Sequence, residues 1–146
     1  MALSPATERE QLAARLRLAV TRLNRRLRAE ADSGLTASGM AALATIGRRG
    51  PLALGELAAV EGVKPPTMTA TVAGLEAEGL IARTADEKDR RVSRVALTAR
   101  GRQRLERVRS RKTAYLAARL ERLEEHQLGQ LDQAIGLFEL LLEEGR

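Results

Sequence analysis

The chain has 146 residues and a formal net charge of +6; 44% of its residues are hydrophobic, yet it holds one Phe, one Tyr and no Trp. With no cysteine and a single histidine, disulfides, thiolate chemistry and His-rich zinc sites are excluded. The length suits one domain, or two small lobes sharing an aliphatic core, and with neither an apolar N-terminal run nor a membrane-length stretch a soluble, cytoplasmic protein is expected.

Thr7 and Glu10 stand at capping-box spacing, and behind them Leu12, Leu16, Val20, Leu23 and Leu27 recur at three- and four-residue steps. This predicts a helix from Thr7 to about residue 31, with one apolar stripe and an arginine-rich back. Asp32-Ser33-Gly34 breaks it. Thr36 then caps a second helix that carries Met40, Leu43 and Ile46 and ends near Arg48-Arg49-Gly50-Pro51. Leu52-Ala53 is too short for more than a strand stub. A short helix follows over Leu54 to Val60, with Leu57 and Val60 inward, and Gly62 is placed for the left-handed turn that stops it.

Pro65 and Pro66 fit only the first turn of a new helix, where their missing N–H groups cost nothing. That helix is predicted to reach about Glu78, with Met68, Val72 and Leu75 inward. Helix, tight glycine turn and second helix form a helix-turn-helix. Leu80 to Arg83 and Ser93 to Thr98 read as two strands, with Val95 and Leu97 inward, joined by the charged tip DEKDRR; together they make a β-hairpin wing. Thr98 is expected to cap a long helix running to about Glu125, and a last helix spans about Leu128 to Glu143. The last helix has Leu128, Leu131, Ile135, Phe138 and Leu142 on one stripe, with Leu137, Leu140 and Leu141 beside it. That arc is too broad for one buried face, and a second copy of the chain is the simplest cover.

Charge is divided unevenly. Residues 1–31 carry 7 basic and 3 acidic groups, and residues 82–112 carry 12 and 4; residues 113–146 reverse the balance, with 3 and 7. A basic strip of this kind is the electrostatic footprint of a nucleic-acid binder, although a solvated basic surface would look the same in composition.

The stretches LTASGMAALATIGRRGPLALGELA (35–58), VKPPTMTATVAGLEAEGLIART (63–84) and DRRVSRVALTARG (89–101) resemble the MarR family of winged-helix transcriptional regulators over nearly the whole chain. Asp89, Arg91, Leu97, Thr98 and Gly101 meet that family's wing pattern of Asp-x-Arg, an alternating strand and Leu-Thr-x-x-Gly. The resemblance implies a mainly α fold with a small β-hairpin wing: a winged helix-turn-helix lobe and a helical dimerisation region formed by the N- and C-terminal helices. Residues 1–146 would form a single domain, with dimerisation helices at about 1–33 and 113–146, a winged helix-turn-helix at about 36–101, and a connecting helix at 98–125. It further implies a homodimer on double-stranded DNA at a pseudo-palindromic operator, repression of transcription, and release by a small aromatic or phenolic ligand. Leu12, Leu16, Ile135, Leu137, Phe138 and Leu141 would carry the dimer contact.

The recognition helix would present Lys64, Pro66, Thr67, Thr69 and Ala70. Only Thr67 and Thr69 offer hydrogen bonds to base edges, and their methyl groups could meet thymine methyls; Lys64 suits a phosphate. Family members commonly carry arginine where Ala70 stands, and often where Gly74 stands, so guanine readout by this helix is weak here. A small-residue face packed on another helix is the alternative. The grip is therefore expected from the wing cations Arg83, Lys88, Arg90, Arg91 and Arg94, with Arg91 matching the family position that enters the minor groove. Asp89 is expected to hold the tip, within reach of Arg91 and the turn amides; an exposed ion pair without a DNA role is the competing reading. Most of the arginines from Arg100 to Arg111, with Lys112, fit a solvated face better than a DNA contact, since their spacing lets at most a few reach DNA, and His126 fits a turn between the last two helices.

No catalytic constellation, phosphate loop, metal site or cofactor motif is present in the sequence, so an enzyme is not expected. A winged helix used only for protein contacts is the remaining alternative.

Overall fold

The computed structural model describes residues 5–143. Its elements run α1 (Pro5–Ala31), α2 (Ala37–Arg49), β1 (Leu52–Ala53), α3 (Leu54–Glu61), α4 (Pro65–Ala77), β2 (Ile81–Ala85), β3 (Ser93–Leu97), α5 (Ala99–Leu120) and α6 (Glu125–Leu142). α1 begins at Pro5, so Thr7 and Glu10 stand inside the helix instead of capping it. The other predicted caps occur. Thr36 Oγ1 accepts the Gly39 N–H at 3.0 Å and Thr98 Oγ1 that of Gly101 at 3.0 Å, each satisfying a helix donor that would otherwise be unpaired. Gly62, at φ 64°, closes α3 in the left-handed conformation, and Pro65 and Pro66 open α4.

The sheet has the order β1-β3-β2 and is antiparallel throughout. The stub β1 adds a third strand to the hairpin, pairing Leu52 with Val95 and Ala53 with Arg94. One core fills the winged lobe. Leu43 and Ile46 of α2, Leu57 of α3, Met68, Val72 and Leu75 of α4, Ile81, Val95 and Leu105 are all buried in it. Every one of these side chains is aliphatic or Met, as the scarcity of aromatic residues requires. On α3, Ala58 and not Val60 takes the second inward place; Val60 lies at the edge of the eight-residue helix and is 40% exposed.

The helical remainder is different. α1 packs along α5, but α6 buries no residue. α5 stops at Leu120, earlier than predicted, because Glu124 starts a new capping box in which its backbone N–H is taken by Gln127 Oε1 at 3.0 Å. His126 consequently lies in the first turn of α6, not in a turn between helices, with Nδ1 3.3 Å from Glu124 Oε2. No described helix is long and apolar enough to cross a membrane.

Candidate nucleic-acid interface

α4 shows one face to the core and the other to solvent. Its 3.6-residue period places Met68, Val72 and Leu75 inward, leaving Lys64, Pro66, Thr67, Thr69 and Ala70 exposed. The face is small and uncharged beyond Lys64. Thr69 Oγ1 donates to the Pro65 carbonyl at 3.0 Å and Thr71 Oγ1 to that of Thr67 at 3.0 Å. With its proton committed to the helix, the exposed Thr69 hydroxyl offers acceptor lone pairs and a methyl group outward.

β2 and β3 are joined by the charged tip. At the base of the tip, directly after β2, is Asp86, a residue to which sequence reasoning gave no role. Its Oδ1 accepts the amides of Lys88 at 2.7 Å and Asp89 at 3.1 Å, while its Oδ2 is ion-paired with Arg94 Nε. The Asp86 N–H donates to the Val92 carbonyl at 2.9 Å, and the Val92 N–H to that of Asp89 at 2.9 Å. The Arg94 guanidinium, aided by those two amides, holds the Asp86 carboxyl down at about 2. An Asp whose carboxylate takes the amides two and three residues on is an Asx turn, and that spacing was the available signal.

Asp89 does a narrower task. Its Oδ1 accepts the Arg91 backbone N–H at 3.0 Å and Nε at 3.1 Å, and its Oδ2 accepts Nη2 at 3.2 Å. These bonds to Arg91 hold the Asp89 carboxyl below the usual carboxylate range. The Arg91 side chain remains 91% exposed. It is thus a cation projected into solvent on a fixed fork.

The five wing cations divide by what holds them. Lys88 and Arg90 are exposed and make no ion pair among the described residues. Arg83 is paired with Glu76 of α4 at 3.0 Å. Arg94, expected among the wing cations, is paired with Asp86 within the chain. Its guanidinium also reaches Glu56 Oε2 at 3.3 Å and the Pro51 carbonyl at 3.5 Å, and Glu56 itself accepts the Ala53 N–H at 2.9 Å. Charge partners on two sides bind it to the base of the wing, chiefly Asp86, which raises its own proton affinity further. Arg94 therefore ties wing to α3, leaving Lys88, Arg90 and Arg91 as the cations at the tip.

The Leu-Thr-x-x-Gly segment locks the wing to α4 and α5. Thr98 Oγ1 donates to the Gly79 carbonyl at 2.6 Å and its N–H to that of Leu80 at 3.1 Å. A Cβ at Gly101 would lie 2.0 Å from the same Leu80 oxygen, so only glycine lets α5 approach so closely.

Most of the α5 cations are solvated, as expected: Arg100, Arg102, Arg107, Arg109 and Arg111 are exposed, while Arg104 and Lys112 are half-buried. Arg104 Nη1 donates to the Ser33 carbonyl at 2.7 Å and Arg111 Nη1 to that of Ala31 at 3.0 Å. A cleft of about 370 Å³ opens beside these contacts between α1, α2 and α5; Arg25, Arg28, Ser33, Met40, Val108 and Lys112 line it. No group of three or more potential metal-ligating side chains occurs among the described residues.

A helix-turn-helix with an exposed second helix, followed by a paired wing, defines a winged-helix protein. The sequence profile of the MarR family matches residues 35–93. An HTH-type transcriptional regulator of Mycobacterium bovis is 33% identical over 92% of this chain and 94% of its own length. The HTH-type transcriptional repressor MdtR of Bacillus subtilis is 36% identical over 66% of this chain and 63% of its own. Among solved structures, a transcriptional regulator of Pseudomonas aeruginosa is 34% identical and superposes with a TM-score of 0.84, covering 94% of this chain and 99% of that one. The chain belongs to the MarR family of winged helix-turn-helix transcriptional regulators, which are DNA-binding proteins and not enzymes.

Proposed function

We propose that this protein is a sequence-specific repressor that binds a pseudo-palindromic operator as a homodimer and releases it when a small aromatic acid binds. The observation that carries the DNA contact is the division of labour among the wing cations. Arg94 and Arg83 are paired with carboxylates and about one-third exposed, while Lys88 and Arg90, and Arg91, which is paired with Asp89 yet 91% exposed, are presented at the tip. α4, poor in donors, enters the major groove through Pro66, Thr67, Thr69 and Ala70, with Lys64 on a phosphate. Arg91, oriented by Asp89, enters the flanking minor groove. The related protein MdtR is a repressor by name, which supports the sign of the regulation.

The dimer is supported by apolar surface. Leu12 is 62% exposed, Ile135 47%, Leu137 61%, Phe138 36% and Leu141 71%, with Leu16 half-buried. Large apolar side chains left exposed in this number support an association surface. Charge favours the same partner, since the basic residues 1–31 complement the acidic residues 113–146 of a second copy. The effector reading rests on the cleft beside α1, whose Arg25, Arg28 and Lys112 suit a carboxylate. A gel shift with the protein's own upstream region, with and without phenolic acids, tests the whole reading. Absence of any sequence-preferring shift would return the chain to a protein-contact module.

A further inference from the structure

Between α1 and α2 the chain turns through Asp32-Ser33-Gly34, and Asp32 has φ 38°. Asp is among the few residues with a Cβ that adopt left-handed backbone, and the joint is also held from outside. Support comes from α5. Arg104 and Arg111 are seven residues apart, two helical turns, and so share one face of that helix. Arg111 donates to the last carbonyl of α1, that of Ala31, at 3.0 Å. Arg104 donates through Nη1 to the Ser33 carbonyl at 2.7 Å. Its other terminal nitrogen, Nη2, lies 3.6 Å from Glu78 Oε2, and Glu78 is the residue that ends α4. The Arg104 side chain is only 17% exposed, so it is enclosed between its two partners.

We infer that Arg104 is a positioning residue for DNA binding: one guanidinium fixes the end of the recognition helix to the joint that leads into α1. Nothing about this requires Arg104 to touch DNA. A planar guanidinium presents donors in two directions at fixed angles, which the single ammonium of lysine does not. In a dimer held through α1 and α6, the angle at residues 32–34 sets how far apart the two copies of α4 stand. Arg104 would then set the half-site separation, about 34–36 Å for a dimer of this type, while Thr67, Thr69 and Arg91 act on the bases and grooves. This part rests on the dimeric DNA-binding reading given above; the link between α4 and the α1–α2 joint does not.

The absence of native cysteine makes the test direct. Spin labels at Arg15→Cys and Ala73→Cys, in a doubly labelled chain diluted into excess unlabelled protein, report the distance from α1 to α4 within one chain. Arg104→Gln should broaden that distance distribution, Glu78→Gln should broaden it less, and Arg104→Lys should recover part of the width. In parallel, a duplex selected by the wild-type protein is lengthened or shortened between half-sites by one base pair. Arg104→Gln should lose about tenfold of the wild-type preference for the original spacing, equivalent to about 1.4 kcal/mol. Equal widths in all chains at equal helical content, or an unchanged spacing preference beside a broadened distance, would overturn the inference. If Arg104→Gln does not fold, Glu78→Gln carries both measurements. A wild-type chain that selects no duplex would remove the DNA reading, and the distance distributions would still decide whether Arg104 holds α4 to the joint.

Discussion

Asp86 closes the base of the wing by pairing with Arg94 eight residues later, across the hairpin. Through Arg94 the contact continues to Glu56 at the start of α3, so the wing is braced against the first helix of the helix-turn-helix. Asp86 is held ionised down to about 2, against 3.8 for an ordinary Asp, by Arg94 and the amides of Lys88 and Asp89. A depressed carboxyl stabilises the fold above its unfolded value, and that stabilisation is lost as pH falls through the folded one. The melting-temperature difference between wild type and Asp86→Asn should therefore be constant above about pH 5 and close between 3.8 and about 2. Thermal unfolding at stepped pH measures it. A difference that persists unchanged at pH 2 would show that the charge of Asp86 is not what matters.

Arg91→Ala should weaken operator binding strongly at unchanged helical content, because it removes a wing cation whose side chain is 91% exposed. Lys88→Ala or Arg90→Ala should act more evenly across sequences and reduce the salt slope by about 0.9 for each phosphate no longer neutralised. Arg94→Ala should behave differently again: affinity falls with little change in slope, since its charge is spent inside the protein. Titrations at four salt concentrations separate the three patterns, and a full-unit slope change for Arg94→Ala would return it to the DNA surface.

Thr69→Val keeps the methyl group and removes the acceptor. Selection on randomised duplexes should show a weakened preference at one base pair, worth about 1–3 kcal/mol of discrimination. An unchanged selected site would mean that the Thr69 oxygen reads no base.

Gly101→Ala would place a Cβ against the Leu80 carbonyl, which Thr98 N–H holds in place. A backbone obstacle cannot rotate away, so the substitution should cost about 1–3 kcal/mol or more, read as a drop in urea midpoint without change in m-value.

Leu141→Asp touches a side chain that is 71% exposed in the single chain. Within one subunit it should cost under about 0.5 kcal/mol; in a dimer paired through α6 it should weaken association at least tenfold, about 1.4 kcal/mol. Sedimentation equilibrium decides, and an unaltered dimer would move the interface away from this part of α6.

The winged-helix order was legible because its signals are local. Thr36 and Thr98 announce helix starts by side-chain chemistry, Pro65 and Pro66 can occupy only a first turn, and the three-to-four-residue spacing of Met68, Val72 and Leu75 marks an inward face. The end of α5 was not legible, because residues 121–124 contain neither Gly nor Pro and the break depends on a capping box between Glu124 and Gln127. The exposure of α6 followed from the breadth of its apolar arc, a property of spacing alone.

Charge is where sequence reached its limit. By itself the sequence determined that basic residues gather at 82–112 and that a Leu-Thr-x-x-Gly segment follows the second wing strand. It could not say which cations are free, since an arginine's partners depend on what folding brings within a few ångströms. Only the tertiary structure set Arg94 between Asp86 and Glu56, Arg83 beside Glu76, and Arg104 between Ser33 and Glu78. Those pairings span up to 71 residues of chain, beyond any local rule. Helical and strand periods fix a residue's face; the pairing of long, flexible charged side chains is fixed only when the elements that carry them are packed.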